Sequence, residues 1–337
     1  MQFERVIGTI ESHTAGEALR IVTSGVPVIP GATILEKRRW VAENLDQVRR
    51  ALMHEPRGHA DMYGCYVTPP VTDQADLGVI FMHNEGYSTM CGHGVIALAM
   101  VAVANRWVEP VEPETRVGLD TPAGFVDAFV EWDSRSLKAG RTRFRNVPSF
   151  LYRRDLEVTT PTFGKLRVDI AFGGAFYAYL DGAHAGLDVR PENYRPLIQL
   201  GDEVKRAVEA VVEVVHPLEP ELRGIYGTII DGSPRLPGSH QANVCVFADR
   251  EVDRSPTGTG TAGRVAQLHA QGRLALGDTL VNESIIGTTF TGRALEETTV
   301  GEYAAVIPEI SGQAYITGLG QWLIDPDDPT AQGFFLR

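Results

Sequence analysis

Ser88-Thr89-Met90-Cys91-Gly92-His93-Gly94-Val95-Ile96-Ala97 is matched in design by Ser255-Pro256-Thr257-Gly258-Thr259-Gly260-Thr261-Ala262. Aligned, Cys91-Gly92-His93-Gly94 lies on Thr257-Gly258-Thr259-Gly260. In each copy a small residue with a nucleophilic head precedes Gly-x-Gly and then a run that reads as a helix. The amides of such a helix start attract an anion. The same partial positive charge favours a thiolate at Cys91, because an unperturbed cysteine pKa near ~8.5 can fall well below neutrality at a helix N-terminus. Two such frames in one chain point to one carboxylate held between two helix ends, with one sulfur base beside it.

Outward from the first frame, Val95, Ile96, Leu98, Met100, Val101 and Val103 face several directions. A helix that is apolar nearly all round is buried on every side, which predicts a central helix wrapped by sheet. Upstream, Phe3 to Glu11 and Leu19 to Thr23 read as strands, with Ser12-His13-Thr14-Ala15-Gly16-Glu17 as a polar loop between them. Leu35, Val41, Leu45, Val48 and Leu52 recur mostly at three- and four-residue steps, predicting one amphipathic helix from Ala32 to His54 on the outside of a sheet. Strands are expected at Met62–Thr68, Leu77–His83, Arg116–Leu119 and Phe125–Glu131.

The second half repeats the plan. Strands at Leu166–Phe172 and Ala175–Leu180 precede an amphipathic helix from about Leu197 to Val215, and strands at Ile225–Ile230 and Asn243–Ala248 lead to the second frame. The order strand, outer helix, strands, Gly-rich turn, inner helix therefore occurs twice. It predicts an α/β (α+β) pair of pseudo-symmetric domains, one formed by 1–149 with 321–337 and the other by 150–320, with the site in the cleft between them.

At 337 residues, 43% hydrophobic and 22% charged, the chain has the composition of a globular protein. Its net charge of −12 argues against a nucleic-acid or anionic-membrane surface, which needs clustered Lys and Arg. Neither a leader with a basic start and an apolar core nor a membrane-length apolar run is read, so a cytoplasmic location is expected. The three cysteines, Cys65, Cys91 and Cys245, lack the spacing of a disulfide framework or zinc ribbon. Cys65 and Cys245 sit in strand-like runs and read as buried small hydrophobes.

Cys91 is thus a candidate base, and the amides of Gly92, His93, Gly258 and Thr259 are candidate anchors for a carboxylate. Asp253, four residues before Thr257, can accept from an ammonium or secondary amine. An amino acid clamped at both charged groups would present its Cα–H to the sulfur. Each piece also has a plainer reading: an inert thiol, a tight turn, a packing histidine, a loop cap. The pairing of two matched frames is what favours chemistry. His13, His54, His59, His83, His93 and His240 show no metal-ligand spacing, and no phosphate loop or complete dinucleotide fingerprint is present. Chemistry without metal or cofactor is expected.

Ser12-His13-Thr14-x-Gly16-Glu17, Met90-Cys91-Gly92-His93-Gly94 and Asp253-Arg254-Ser255-Pro256-x-Gly258-Thr259-Gly260-Thr261 resemble the signatures of the proline racemase family. Glu55-Pro56-Arg57-Gly58-His59-x-Asp61-Met62-Tyr63-Gly64, His83-Asn84-Glu85-Gly86-Tyr87 and Gly173-Gly174-Ala175-Phe176-Tyr177 extend the resemblance over nearly the whole chain. The resemblance implies a diaminopimelate-epimerase-like fold and a homodimer acting on a small amino acid. Racemases and 4-hydroxyproline epimerases of the family carry a thiol in the second frame as well, because inversion needs an acid and a base on opposite faces of Cα. Here Thr257 stands there. An aliphatic hydroxyl is too weak an acid to replace that thiol, so a carbanion formed by Cys91 should instead lose a β-substituent.

The Cys91 and Thr257 pair is similar to that of the family's dehydrating members. This implies loss of water from trans-3-hydroxy-L-proline, with Gly92, His93, Gly258 and Thr259 on the carboxylate, Asp253 on the ring nitrogen and Thr257 bonded to the leaving hydroxyl or elsewhere on the substrate. His240, His13 and Asn84 are weaker candidates for the cleft. Ala15, Ala18 and Leu19 depart from the Gly, Pro and Thr frequent in racemases, which bears on substrate choice. A racemase or 2-epimerase with another acid, and a non-catalytic amino-acid binder, are the alternatives.

Overall fold

The computed structural model describes residues 4–336, so Phe3 of the first expected strand lies outside the described residues. The chain divides into two compact units, one running to Thr142 and resuming at Gln313, the other Arg143–Gly312. In chain order the first holds β1 (Arg5–Thr14), β2 (Glu17–Ser24), α1 (Ile34–Asn44), α2 (Asp46–Met53), β3 (Tyr63–Thr68), β4 (Leu77–His83), α3 (Gly92–Ala104), β5 (Glu114–Thr121) and β6 (Gly124–Asp133). β7 (Lys138–Arg145) carries the chain into the second unit. That unit holds β8 (Ser149–Thr160), β9 (Gly164–Phe172), β10 (Phe176–Asp181), α4 (Tyr194–Glu209), β11 (Gly227–Gly232), β12 (Gln241–Phe247), β13 (Glu251–Asp253), α5 (Gly258–Ala270), β14 (Leu280–Ser284), β15 (Thr289–Val300) and β16 (Tyr303–Gly312). β17 (Ala314–Ile324) returns to the first.

The unit boundaries fall somewhat earlier than 149/150 and 320/321, for local reasons. Arg143 pairs with Glu309 at 2.8 Å and the Asn146 amide donates to the Pro308 carbonyl at 2.8 Å, which ties residues 143–146 to the second unit. β17 pairs with β1 from Ala314 opposite Thr14 to Ile324 opposite Arg5, so the whole strand belongs to the first.

The two units repeat one ladder. In the first, β1 is antiparallel to β2, β2 parallel to β3, β3 antiparallel to β4, β4 parallel to β5 and β5 antiparallel to β6. In the second, β9 is antiparallel to β10, β10 parallel to β11, β11 antiparallel to β12, β12 parallel to β14 and β14 antiparallel to β15. A parallel step needs a crossover, and each of the four is made through helix: α1 with α2, α3, α4 and α5.

α3 packs against β1, β2, β5, β6 and β17 of its own unit, and every residue from Gly92 to Val103 is buried. Each fully buried Val, Ile or Leu of this run contributes roughly 1.5–3 kcal/mol relative to exposure. α5 packs in the same way against β8, β9, β10, β15 and β16. The outer helices carry one apolar face only. Val41, Leu45, Val48 and Leu52 of the first unit join a core with Ile7, Val22 and Tyr66.

Three local expectations are corrected. Ser12, His13 and Thr14 belong to β1, and the turn is Ala15-Gly16 alone, at φ +52° and +97°. The helix expected over Ala32–His54 breaks at Leu45, whose φ of −127° is not helical while its side chain stays buried. α4 stops at Glu209 because the β-branched run that follows, Val211-Val212-Glu213-Val214-Val215, is a poor helix former.

Candidate active site

The first frame follows β4. The Asn84 side chain donates to the carbonyls of Met53 (2.7 Å) and His59 (3.1 Å) and accepts from the Met62 amide at 3.1 Å. Its amide group therefore fastens the end of α2 and the following loop. Cys91 is the N-cap of α3 in an extended conformation, φ −145°, with its sulfur accepting from the Gly94 amide at 3.2 Å. A Cβ on Gly94 would meet Phe81 at 2.5 Å and the Cys91 sulfur at 3.0 Å, so only glycine lets the thiol lie over the helix start. The His93 imidazole approaches the same sulfur, Nδ1 at 3.2 Å and Nε2 at 3.6 Å. Thr14 holds the His93 carbonyl at 2.7 Å, and Tyr63 meets the His93 ring edge-on at 4.8 Å. Tyr63 is in turn bonded to Ser88.

The helix-start amides, the Gly94 N–H among them, present partial positive charge to the sulfur, and the His93 ring nitrogens lie within hydrogen-bond reach of it, an arrangement suited to a thiolate. Cys65 contrasts with it: complete burial pushes that thiol far up, away from any use as a base. Cys245 is 1% exposed, as a small core residue should be.

The second frame matches the first in sequence but not in backbone. Thr257 precedes α5 at φ +60°, ψ 103°, and makes no side-chain cap. For a β-branched residue this is a strained conformation, of the kind that persists only where surrounding contacts impose it. Those contacts converge on the preceding residue. The Pro256 carbonyl accepts from Asn243 (3.0 Å), Asn282 (3.3 Å) and the Thr261 hydroxyl (3.0 Å). The Thr257 amide donates to Ser255 Oγ at 3.1 Å, and the Ser255 amide donates to Asp253 Oδ1 at 2.7 Å. Thr257 is 5% exposed, and among the described residues its hydroxyl has no hydrogen-bond partner. A buried hydroxyl left so by the fold is one that a ligand can satisfy. The Gly94 pattern recurs at Gly260, where a Cβ would meet Ile229 at 2.6 Å and Thr257 Cγ2 at 3.0 Å.

Tyr177 bonds the Thr259 hydroxyl at 2.7 Å and Tyr179 donates to the Gly260 carbonyl at 2.8 Å, so β10 fixes the first turn of α5. His13 accepts the Gly16 amide at 3.2 Å and packs against Tyr315 with the rings tilted. His240 is exposed, and its Nδ1 accepts the Val281 amide at 2.8 Å. Within the first unit Cys91 and His93 are brought together; within the second, Asp253, Thr257, Gly258 and Thr259 share one turn. No role for Tyr177, Asn243 or Asn282 is read from the sequence: Tyr177 only closes the Gly173–Tyr177 motif, and a lone strand Asn carries no signal that distinguishes it. No group of three or more His, Cys, Asp or Glu able to hold a metal occurs among the described residues.

Asn282 is fully buried and also donates to Thr261 Oγ1 at 2.9 Å. Asn282→Ala removes two donors from the strained turn and is expected to cost about 1–3 kcal/mol, read as a lower melting temperature together with a lower kcat. Behind it, Gln241 donates to Asn282 Oδ1 (3.2 Å) and Asp231 Oδ1 (3.0 Å), and Arg264 pairs with Asp231 at 3.2 Å. Burial pushes Asp231 up to about 6 despite the opposing pull of Arg264. The folded state therefore binds this proton more tightly than the unfolded one. The stabilisation is complete below the unfolded value of 3.8 and is lost as pH rises to about 6. Asp231→Asn should flatten that fall, by on the order of 2–3 kcal/mol, in denaturant titrations across the window.

The chain belongs to the proline racemase family, whose model matches residues 9–335. Within it, a Burkholderia ambifaria protein described as trans-3-hydroxy-L-proline dehydratase is 60% identical over 337 residues, 100% of both chains. A Burkholderia multivorans protein described as 3-hydroxyproline 2-epimerase is 59% identical over the same full length of both. The crystal structure of a hydroxyproline epimerase from Agrobacterium vitis, with bound trans-4-hydroxy-L-proline, matches at a TM-score of 0.92 and 32% identity, covering 100% of this chain and 96% of that one. The chain is accordingly a mixed α/β protein of that fold group, and no helix among the described residues is long and apolar enough to cross a membrane.

Proposed function

We propose that this protein is a hydro-lyase that converts trans-3-hydroxy-L-proline to 1-pyrroline-2-carboxylate. The observation that carries the reading is chemical: the first frame offers a thiol, Cys91, whereas the second offers a hydroxyl, Thr257. Full-length relatives described as dehydratases at 60% identity support it. In this reading both helix starts serve one substrate. The amides of Gly92, His93, Gly258 and Thr259 bind its carboxylate and stabilise the enediolate that forms when Cys91 removes the Cα proton. Asp253 accepts from the ring nitrogen, and the Thr257 hydroxyl finds its partner on the substrate. The carbanion has no second thiol to reprotonate it from the other face, so it expels the 3-hydroxyl. The enamine that results tautomerises to the pyrroline.

The reading includes a diaminopimelate-epimerase-like pair of domains and a homodimer, both carried over from the family resemblance, and keeps the cytoplasmic location expected from the sequence. Purified protein given trans-3-hydroxy-L-proline should yield pyrroline-2-carboxylate, measured by coupled reduction to proline; no product with that substrate would overturn the reading. The relative described as a 2-epimerase motivates the second reading, inversion at Cα by Cys91 with a different acid.

A further inference from the structure

The dehydratase reading leaves the proton donor for the departing oxygen unassigned, and the inference here rests on that reading. In trans-3-hydroxy-L-proline the hydroxyl lies on the ring face opposite the carboxylate. Cα bears the carboxylate on one face and hydrogen on the other, so the 3-hydroxyl and the Cα–H share a face. The elimination is therefore syn, and the oxygen departs on the side where the base works. A group on the carboxylate side of the ring is screened from that oxygen by the ring itself.

Beside the Cys91 sulfur lies the edge of the His93 imidazole, with Nδ1 at 3.2 Å and Nε2 at 3.6 Å. His93 is 4% exposed and its ring meets Tyr63 edge-on, while Thr14 holds its backbone carbonyl. An acid and a base set side by side, rather than on opposite faces, are what a syn elimination requires.

We propose that His93 is the general acid that protonates the departing 3-hydroxyl. The Cys91 thiolate takes the Cα proton and becomes a thiol. The C3–O bond breaks with its electron pair going to oxygen, and the His93 imidazolium gives that oxygen a proton, so water leaves. The electron pair from Cα forms the C2–C3 double bond of the enamine. The thiol then returns its proton to the neutral imidazole across their contact, which restores the thiolate and imidazolium without a proton from solvent. Thr257 then serves the substrate elsewhere than at the leaving hydroxyl.

The test compares hydroxide with a leaving group that needs no proton. Wild-type protein and His93→Asn, with His93→Gln carried alongside and melting temperatures recorded for both, are assayed on trans-3-hydroxy-L-proline and trans-3-chloro-L-proline. Loss of the acid should lower kcat for water loss by about 10²–10⁴-fold more than it lowers kcat for chloride loss, which keeps only the fall due to a less stabilised Cys91 thiolate. A parallel fall for both substrates in folded variants would make His93 a partner of Cys91 only and overturn the proposal, as would no fall for either. Wild-type protein that expels chloride but not water would remove the dehydratase reading itself.

Discussion

Cys91→Ser leaves a folded protein that still binds its substrate and no longer turns it over, with kcat reduced by about 10⁴-fold or more, at or beyond the upper end of what a general base contributes. The serine variant is the informative one. Cys91 caps α3 through its sulfur, which accepts the Gly94 amide at 3.2 Å. Alanine would lose that cap at a cost of about 1 kcal/mol, whereas serine is a preferred N-cap and restores it. The two variants should therefore share the catalytic defect and differ in stability, with Cys91→Ser melting near the wild type. A serine hydroxyl has no accessible ionisation near neutral pH, so the helix-start amides and His93 have no thiolate to stabilise. Substrate affinity, measured by calorimetry, should change little because the proposed carboxylate anchors are backbone amides. Turnover that persists in Cys91→Ser would remove the base from the account.

Thr257→Cys should gain a reaction that the wild type lacks: inversion at Cα of L-proline or 4-hydroxy-L-proline, with solvent deuterium entering at that carbon. The residue stands at φ +60° without capping α5, and its hydroxyl is buried with no partner among the described residues. Cysteine lacks the branched Cβ that strains threonine there, so the variant should be at least as stable as the wild type. A thiol at this position supplies the second acid that inversion needs, and proton transfer of this kind is worth about 10²–10⁴-fold over a background without it. Chiral chromatography of the product decides the matter. A folded variant with no inversion would show that Thr257 does not set the reaction type.

The repeated frames were legible because a Gly-x-Gly followed by an apolar run is a local pattern, and α3 and α5 open on its first glycine. The ladder around them was legible in part, for the strands whose hydrophobic residues are contiguous or alternate. Ser12 and Thr14 misled because polarity in a strand can be structural. Ser12 Oγ donates to the Leu19 carbonyl at 2.9 Å across the hairpin and Thr14 to the His93 carbonyl, so neither marks a loop. β17 went unread because its side chains from Tyr315 to Leu323 are exposed or half-buried, leaving no apolar alternation to detect.

What the sequence withheld about the site is conformational and long-range. The frames align residue for residue, yet Cys91 is extended and caps its helix while Thr257 has positive φ and does not. That difference is imposed on Thr257 from a distance, by Asn243 on β12 and Asn282 on β14 holding the Pro256 carbonyl. Contacts separated by that much chain leave no periodicity to read. The Cys91 and His93 contact joins residues two positions apart, but a spacing of two does not by itself say that the imidazole turns back over the sulfur.

The most direct measurement of the central claim is proton NMR of trans-3-hydroxy-L-proline incubated with the wild-type protein in deuterium oxide, without added metal or nucleotide. Loss of a β-substituent from a carbanion with no second thiol predicts pyrroline-2-carboxylate as the product, with no build-up of the Cα-inverted diastereomer. Accumulation of that diastereomer, with deuterium at Cα and no pyrroline, would contradict it and make the protein a 2-epimerase.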